Sequence, residues 1–445
     1  MKLLSLLLLA LMCPGLSAQD YRTFTTSDGA SSMRAALLDV ERDKTGALVA
    51  VLRREADGVV FRVRVERFSA ADVQYVNAAE ELLIVPAVLR GRLTPAAREV
   101  LRKKYGCAAA DNEAAVERAL LWLSQNQNHA GSWGKNHTAG MTGLALLAFA
   151  GHGHGPGSKP HGEVIVRGIT WLLEAIQKNK KPFDGICSEK PGVISSAYEH
   201  GICTQALAEM YALSNRGKNA PQGLAAAVEK AESVILLSQS PYGAWGYKDG
   251  IGYDPYGGRD LSVTGWQVHA ICACRDAGFK NDRRAAVLQK AAKYLVSKQT
   301  GDGGYGNPDL NSHYNQRNLT GSALSALQFS VQDAIKLGRG VGWLADFTKK
   351  EPLSWTKDCS LYAWYFNSLA LHRAGGESWK TWNSQCEPLM LANQNPDGSW
   401  KVEGVGEVGA GGTGAAAEDK DIYRTCLAAL ILETPCRFLR PEAKK

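Results

Sequence analysis

From residue 111 to residue 436, two apolar patterns take turns along the chain. In the first, apolar positions recur every three or four residues and charges fill the gaps, as from Ala225 to Leu237 with Glu229, Lys230 and Glu232. That period marks a helix with one face in solvent. In the second, nearly every position is apolar or small, as from Thr138 to Ala150, and a helix apolar all round is a buried one. Buried helices are expected at 138–150, 195–213, 260–276, 317–329, 358–374 and 420–433, with glycine-rich turns and more polar helices such as Ala114 to Gln125 between them. Two concentric rings, polar helices outside and apolar ones inside, account for the alternation. The expected fold class is mainly α: an α6/α6 toroid of six helical hairpins, preceded by a small β unit.

Four of the turns share the pattern Gln-x-x-x-Gly-x-aromatic: Gln127 with Trp133, Gln239 with Trp245, Gln299 with Tyr305 and Gln394 with Trp400. Glycine lets the chain turn tightly after a helix. The aromatic ring can pack over the glutamine, whose amide can satisfy backbone groups left over at helix ends. The gaps between the tags leave room for two degenerate copies, near Gln177 to Gly185 and Trp343 to Trp355. These tags resemble the Gln-Trp repeat motifs of squalene cyclases, over residues 111–436. The resemblance implies the toroidal fold of the terpene cyclases and protein prenyltransferases, and says little about a reaction, because the motif is structural.

Ahead of the toroid, Phe61, Val63 and Val65 alternate with Arg62, Arg64 and Glu66, the period of a half-buried strand. Asp57-Gly58 separates that run from Leu48 to Leu52 and signals a hairpin. Ser69 and Asp72 have the spacing of a capping box. Residues 20–79 are expected to form a small SH3-like barrel. The opening Tyr21-Arg22-Thr23-Phe24, then Asp28-Gly29, Val59-Val60-Phe61 and the run from Phe68 to Val76 resemble the Sla-type homology domain, which implies an adaptor module binding a protein or peptide. Residues 80–110 read as a linker containing one short basic helix after Thr94, an N-cap candidate. Residues 437–445 read as a C-terminal tail.

Lys2, the apolar run from Leu3 to Met12, Pro14-Gly15 and the small Ala18 make residues 1–18 a secretory signal peptide. The run is too short to span a bilayer, which takes about 20 residues, and no later run matches it, so the mature chain is expected to be exported, periplasmic or extracellular, with no integral membrane segment. A net charge of +7 is spread over 445 residues, and nucleic acid is not expected as a partner. Of ten cysteines, Cys13 lies in the leader; an exported chain can pair some of the other nine.

In such a toroid the N-terminal ends of the inner helices face the cavity mouth. That singles out Asp260, Asp358, Asp421 and His200 as candidate catalytic groups, and Tyr198, Trp266, Tyr362, Trp364, Tyr423 and Arg424 as candidate ligand contacts. Squalene cyclases protonate with an Asp-x-Asp-Asp motif, which is absent here. Two segments resemble protein prenyltransferase β-subunits: Asp358-Cys359 before an aromatic helix, and Asp421-Ile422-Tyr423-Arg424-Thr425-Cys426. Arg424 stands where the resemblance calls for a zinc-ligating histidine, and a guanidinium offers no lone pair to a metal. An ion pair between Asp421 and Arg424, three residues apart, is the expected alternative. His152, His154 and His161 lie in a glycine-rich stretch that makes a poor metal cage. No metal or cofactor is therefore expected. The leading reading is an exported toroid that binds a large apolar or saccharide ligand, or a protein partner. Enzyme action stays open, either on a saccharide, with paired acids such as Asp260 and Asp358, or on an isoprenoid.

Overall fold

A computed structural model of the chain describes residues 21–83, 85–178, 196–215, 217–247, 259–306, 313–330, 334–357, 359–401 and 417–438. The expected leader, Asp358, most of the degenerate tag at 177–185 and the tail beyond 438 lie outside the described residues.

The first unit is a four-stranded antiparallel meander of β1 (Tyr21–Thr25), β2 (Ser32–Arg42), β3 (Leu48–Arg54) and β4 (Val60–Arg64), in that order across the sheet, followed by α1 (Ala70–Leu83). Phe24, Ala35, Leu37, Ala50, Leu52, Phe68, Val76 and Leu83 form its core. The Ser69–Asp72 pair caps α1 as expected: the Asp72 N–H donates to the Ser69 hydroxyl, and that hydroxyl donates back to the carboxylate at 2.8 Å. Asp72 also accepts from Arg22 at 2.6 Å and from the Thr25 N–H, fastening the helix to β1.

After α2 (Pro95–Lys104) come, among the described residues, twelve long helices: α3 (Ala109–Gln125), α4 (Thr138–Gly151), α5 (Gly162–Lys178), α6 (Ser196–Ala212), α7 (Leu224–Leu237), α8 (Leu261–Asp276), α9 (Arg284–Ser297), α10 (His313–Ser330), α11 (Ala334–Lys350), α12 (Leu361–Ala374), α13 (Gly376–Ala392) and α14 (Ala417–Arg437). The even-numbered members from α4 are the apolar ones. Each packs on the next, α4 on α6, then α8, α10, α12 and α14, and α14 returns to α4. The odd-numbered members pack outside, α3, α7, α9, α11 and α13 each against two of these and α5 against α4. A closed inner ring within an outer layer is thus read directly from the packing, with inner helices within a few residues of the expected spans.

The tags do the work expected of them. The side-chain amides of Gln127, Gln239 and Gln394 each donate twice: to the glycine carbonyl of their own turn (Gly131, Gly243, Gly398), and to a carbonyl of the following outer helix (Val164, Val287, Ala115), all within 3.0 Å. Gln299 bonds the Gly303 carbonyl in the same way. The last of these links joins α13 to α3 and closes the outer layer. The indole N–H groups of Trp133, Trp245 and Trp400 donate to carbonyls ten residues earlier, Leu123, Ile235 and Met390. The tag glycines Gly131, Gly243, Gly303 and Gly398 have φ between 89° and 106°. A Cβ there would run into the carbonyl of Arg167, Lys290, Arg339 or Arg118 on the next outer helix. Glycine is required twice over, by dihedral angle and by contact.

Residues 80–110 do more than connect. The short helix begins where expected, Thr94 accepting from the Ala97 N–H at 3.1 Å, but Val85, Leu89, Arg92, Arg98 and Arg102 are all buried. The nine-residue pairing question is also answered for part of the set: Cys107, Cys272, Cys274, Cys386, Cys426 and Cys436 form no disulfide, most of them acting as small buried hydrophobes.

Trp400→Ala should destabilise the chain by roughly 3–5 kcal/mol, the usual cost of truncating a buried aromatic, and Gly398→Ala should also lower the melting temperature. Gly342→Ala on α11, where a Cβ meets nothing, should raise stability by about 0.5–1 kcal/mol. Denaturant melts of the three variants check the contrast; a neutral Gly398→Ala would contradict the tag geometry.

Candidate functional site

The two ends of the inner ring differ in chemistry. At the C-terminal ends, the chain closes the ring with its own side chains. Arg92, fully buried, donates to the Ala150 carbonyl at 2.9 Å, to Glu209 on α6 at 2.6 Å and to the Arg437 carbonyl. Arg437 donates to Glu209 at 2.9 Å and to the Tyr365 hydroxyl at 2.5 Å. Arg98 and Arg102 converge on Glu113 of α3, and Arg98 also reaches the Arg92 and His152 carbonyls. Glu209 is held down to about 2 against the effect of burial by Arg437 and Arg92. His152 and Glu433 lie 3.7 Å apart beneath this layer. Burial pushes the His152 imidazole down to about 4 and the Glu433 carboxyl up to about 8. His152 also faces Glu113 and Glu117 at metal-ligand spacing, but Glu113 is already taken by two arginines.

At the N-terminal ends the functional groups are hydroxyls and aromatic rings. The Tyr198 hydroxyl on α6 donates to Ser262 on α8, and Ser262 donates to Asp260. Asp260 is the N-cap of α8, accepting the Val263 N–H at 2.9 Å. Tyr362 on α12 donates to Ser322 on α10 at 3.2 Å. Tyr247 packs 5.5 Å from Tyr198. Burial raises both phenols well above their ordinary range, and the neighbouring phenols and Asp260 add to this: Tyr362, Tyr247 and Asp260 act on Tyr198; Asp260, Tyr247 and Tyr423 act on Tyr362. The candidates Tyr198, Tyr362, Tyr423 and Asp260 therefore belong to one cluster. Alongside it, Glu199 accepts from His137 at 3.0 Å and from the Gly140 N–H, and the bond to Glu199 raises the His137 pKa. Asp419 accepts the backbone N–H groups of Lys135, Asn136 and His137, between 2.5 and 3.2 Å.

The remaining candidates fall elsewhere. Trp266 stacks on Tyr365 at 5.9 Å, one turn deeper in the ring. Trp364 turns outward onto Trp355 and Trp382, the latter on outer helix α13, because helical periodicity sets it opposite Tyr362 and Phe366. His200 bonds the Ala231 carbonyl on outer helix α7 at 3.0 Å, with its pKa lowered to about 4 by burial. Arg424 pairs with Asp421, as their spacing suggested. The partners Ser262, Ser322 and Tyr247 were missed. So were Thr142, Thr264 and Thr320, whose hydroxyls accept the backbone N–H of Trp133, Trp245 and Tyr305 at 2.9–3.1 Å. A signal for these existed: each is followed by glycine, Thr-Gly at 142, 264 and 320.

No family model and no curated protein sequence matches the chain. Among solved structures it is similar to a variant of the type II terpene cyclase MstE from Scytonema in complex with merosterolic acid A, with 14% identity, a TM-score of 0.46 and coverage of 73% of this chain and 97% of that one. Unliganded MstE gives 14% identity and a TM-score of 0.44, over 74% and 98% of the two chains. A protein from Actinoplanes gives 12% and 0.44, over 73% and 99%.

The buried pair sets a pH dependence. Glu433 keeps its proton in the folded chain up to about 8, whereas the unfolded chain gives it up near 4.3, so folding loses stability as pH rises between those values. His152 stays neutral down to about 4, and the unfolded chain takes a proton near 6.5, so stability falls as pH drops from 6.5 toward 4. Glu433→Gln should therefore gain on the wild type progressively from pH 5 to pH 8. Thermal melts across that range check it; a constant difference would show that Glu433 is ionised throughout.

Proposed function

We propose that the chain is an exported ligand-binding toroid. Its six hairpins are degenerate copies of one unit, and its ligand enters among Tyr198, Tyr247, Tyr362 and Tyr423 at the N-terminal ends of the inner helices. The observation that carries this reading is the asymmetry of the ring: one end is filled by buried arginine–glutamate pairs from the chain itself, the other gathers phenols and serines around one carboxylate. Aromatic faces with a few convergent polar groups are the usual lining of a small-molecule site. Trp266, Tyr365 and Phe366 pack on one another deeper in the ring. The small β unit, with its likeness to the Sla-type homology domain, serves in this reading as a module for a protein or peptide partner.

A catalytic variant of the same reading uses the Tyr198–Ser262–Asp260 chain to move a proton on a saccharide or isoprenoid. The hydroxyl chain ending on a buried carboxylate favours it; the missing Asp-x-Asp-Asp motif weighs against cyclisation of a polyprene. Native mass spectrometry of the mature chain from its own host tests the shared core. A retained small molecule is expected, and Tyr198→Leu/Tyr362→Leu should release it. Retention unchanged in that double variant would place the ligand elsewhere and overturn the assignment.

A further inference from the structure

Within that proposed site, the polar groups specify the class of ligand. Among the described residues, the carboxylates that cap the N-terminal ends are met from inside the fold. Asp260 accepts from Ser262 and the Val263 N–H, Glu199 from His137 and Gly140, Asp419 from three backbone N–H groups, and Arg424 pairs with Asp421. An ionic ligand would have to break one of these. The phenols of Tyr198 and Tyr362 have given their protons to Ser262 and Ser322, so each oxygen has lone pairs left to accept. Several buried polar atoms at this end have no partner, Arg424 Nε and Thr425 Oγ1 among them, and Asn318 lacks one on both amide atoms. Asn318 on α10 is 5% exposed. It lies four residues before Ser322, on the same helical face and one turn nearer the N-terminal end, which aims it to the side where Tyr362 meets Ser322. A buried amide left without partners is costly, and its position here calls for a ligand group that donates and accepts at once.

We infer that the toroid binds a neutral, polyhydroxylated ring compound, a saccharide, with Asn318 bonding one hydroxyl as donor and acceptor, Tyr198 and Tyr362 accepting from others, and the phenol faces packing on the sugar ring. A hydroxyl both donates and accepts, as the amide requires, and carries no charge. This inference rests on the ligand-binding reading above and narrows it; a prenyl chain would leave Asn318, Tyr198 and Tyr362 unanswered.

The test is titration calorimetry on the mature chain with cellobiose, maltose and the prenyl alcohol geranylgeraniol, using wild type, Asn318→Ala, Tyr362→Phe and Tyr362→Leu. Saturable binding of a saccharide is expected, weakened at least tenfold by Asn318→Ala and several-fold by Tyr362→Phe. The melting temperature of Asn318→Ala should be unchanged or higher, because the amide makes no bond inside the protein. Binding of geranylgeraniol alone overturns the saccharide assignment and leaves the ligand-binding site standing if Tyr362→Leu abolishes it. Saccharide binding indifferent to Asn318→Ala, together with a lower melting temperature of that variant, would make Asn318 a packing residue and also overturn it. Binding of none of the three probes overturns the inference, while a ligand retained in native mass spectrometry would keep the broader reading.

Discussion

The ring depends on what happens to backbone carbonyls at the ends of its outer helices. A helix leaves four carbonyls unbonded at its C-terminus, and the turn that follows brings more. Here one glutamine amide holds both the turn and the next helix, and the indole or backbone N–H of the tag aromatic holds the helix behind and the threonine of the inner helix ahead. Three helices are thereby fixed at one point by four neutral hydrogen bonds. Neutral bonds of this kind contribute about 1 kcal/mol each, but their geometry sets the rotation from one hairpin to the next, and a ring closes only if that rotation repeats.

This is also why so much of the fold was legible. The tag has fixed internal spacing because it is one turn, and the inner helices are apolar on all sides because they are covered on all sides. Spans such as 138–151 and 196–212 follow from that pattern within a residue or two. What escaped has physical causes as well. The threonines that receive the tag N–H groups lie 9, 19 and 15 residues after Trp133, Trp245 and Tyr305, because the loops between differ in length, so no constant spacing reveals them. The outer helix that receives each glutamine carries a basic residue followed by a small one, Arg167-Gly168, Lys290-Ala291, Arg339-Gly340 and Arg118-Ala119. At Gly168 and Gly340 the tag ring of Trp133 or Tyr305 packs where a Cβ would stand. Two-residue signals of that kind are weak until the contact is known.

Arginine misled in the same way. Arg92, Arg98 and Arg102 fell in a segment read as a linker with one short basic helix, and arginine is rarely fully buried unless paired. They are paired: Arg92 with Glu209, 117 residues away on an inner helix, and Arg98 and Arg102 with Glu113, 15 and 11 residues on. Single charged residues inside an apolar run, such as Glu209 and Glu433, were the trace of this layer. The candidate site was legible only in part. Tyr198, Asp260 and Tyr362 were reachable from position alone, as first-turn residues or caps of inner helices, whereas Trp364 and His200 share those helices and face outward. Deciding between such neighbours takes the ring's handedness, which apolar patterning on every side does not disclose.

The parallel arrangement of the inner helices sorts the polar chemistry of the ring. Their N-terminal ends present unbonded N–H groups and the positive ends of six dipoles, and carboxylates gather there: Asp260 on Val263, Asp419 on residues 135–137, Glu199 on Gly140. Their C-terminal ends present carbonyls, and arginines gather there: Arg92 on Ala150 and Arg437, Arg98 on His152. Each end has consumed the charge that its own dipoles attract. The C-terminal end then has arginines to spare, and it takes in Glu209 and Glu113 and closes. Among the described residues, the carboxylates at the N-terminal end are already held by backbone N–H groups, a serine and a histidine, and hydroxyls, an amide and aromatic rings stand beside them. The sorting of carboxylates to one end of the inner helices and arginines to the other thus follows from helix direction, before any particular ligand is considered.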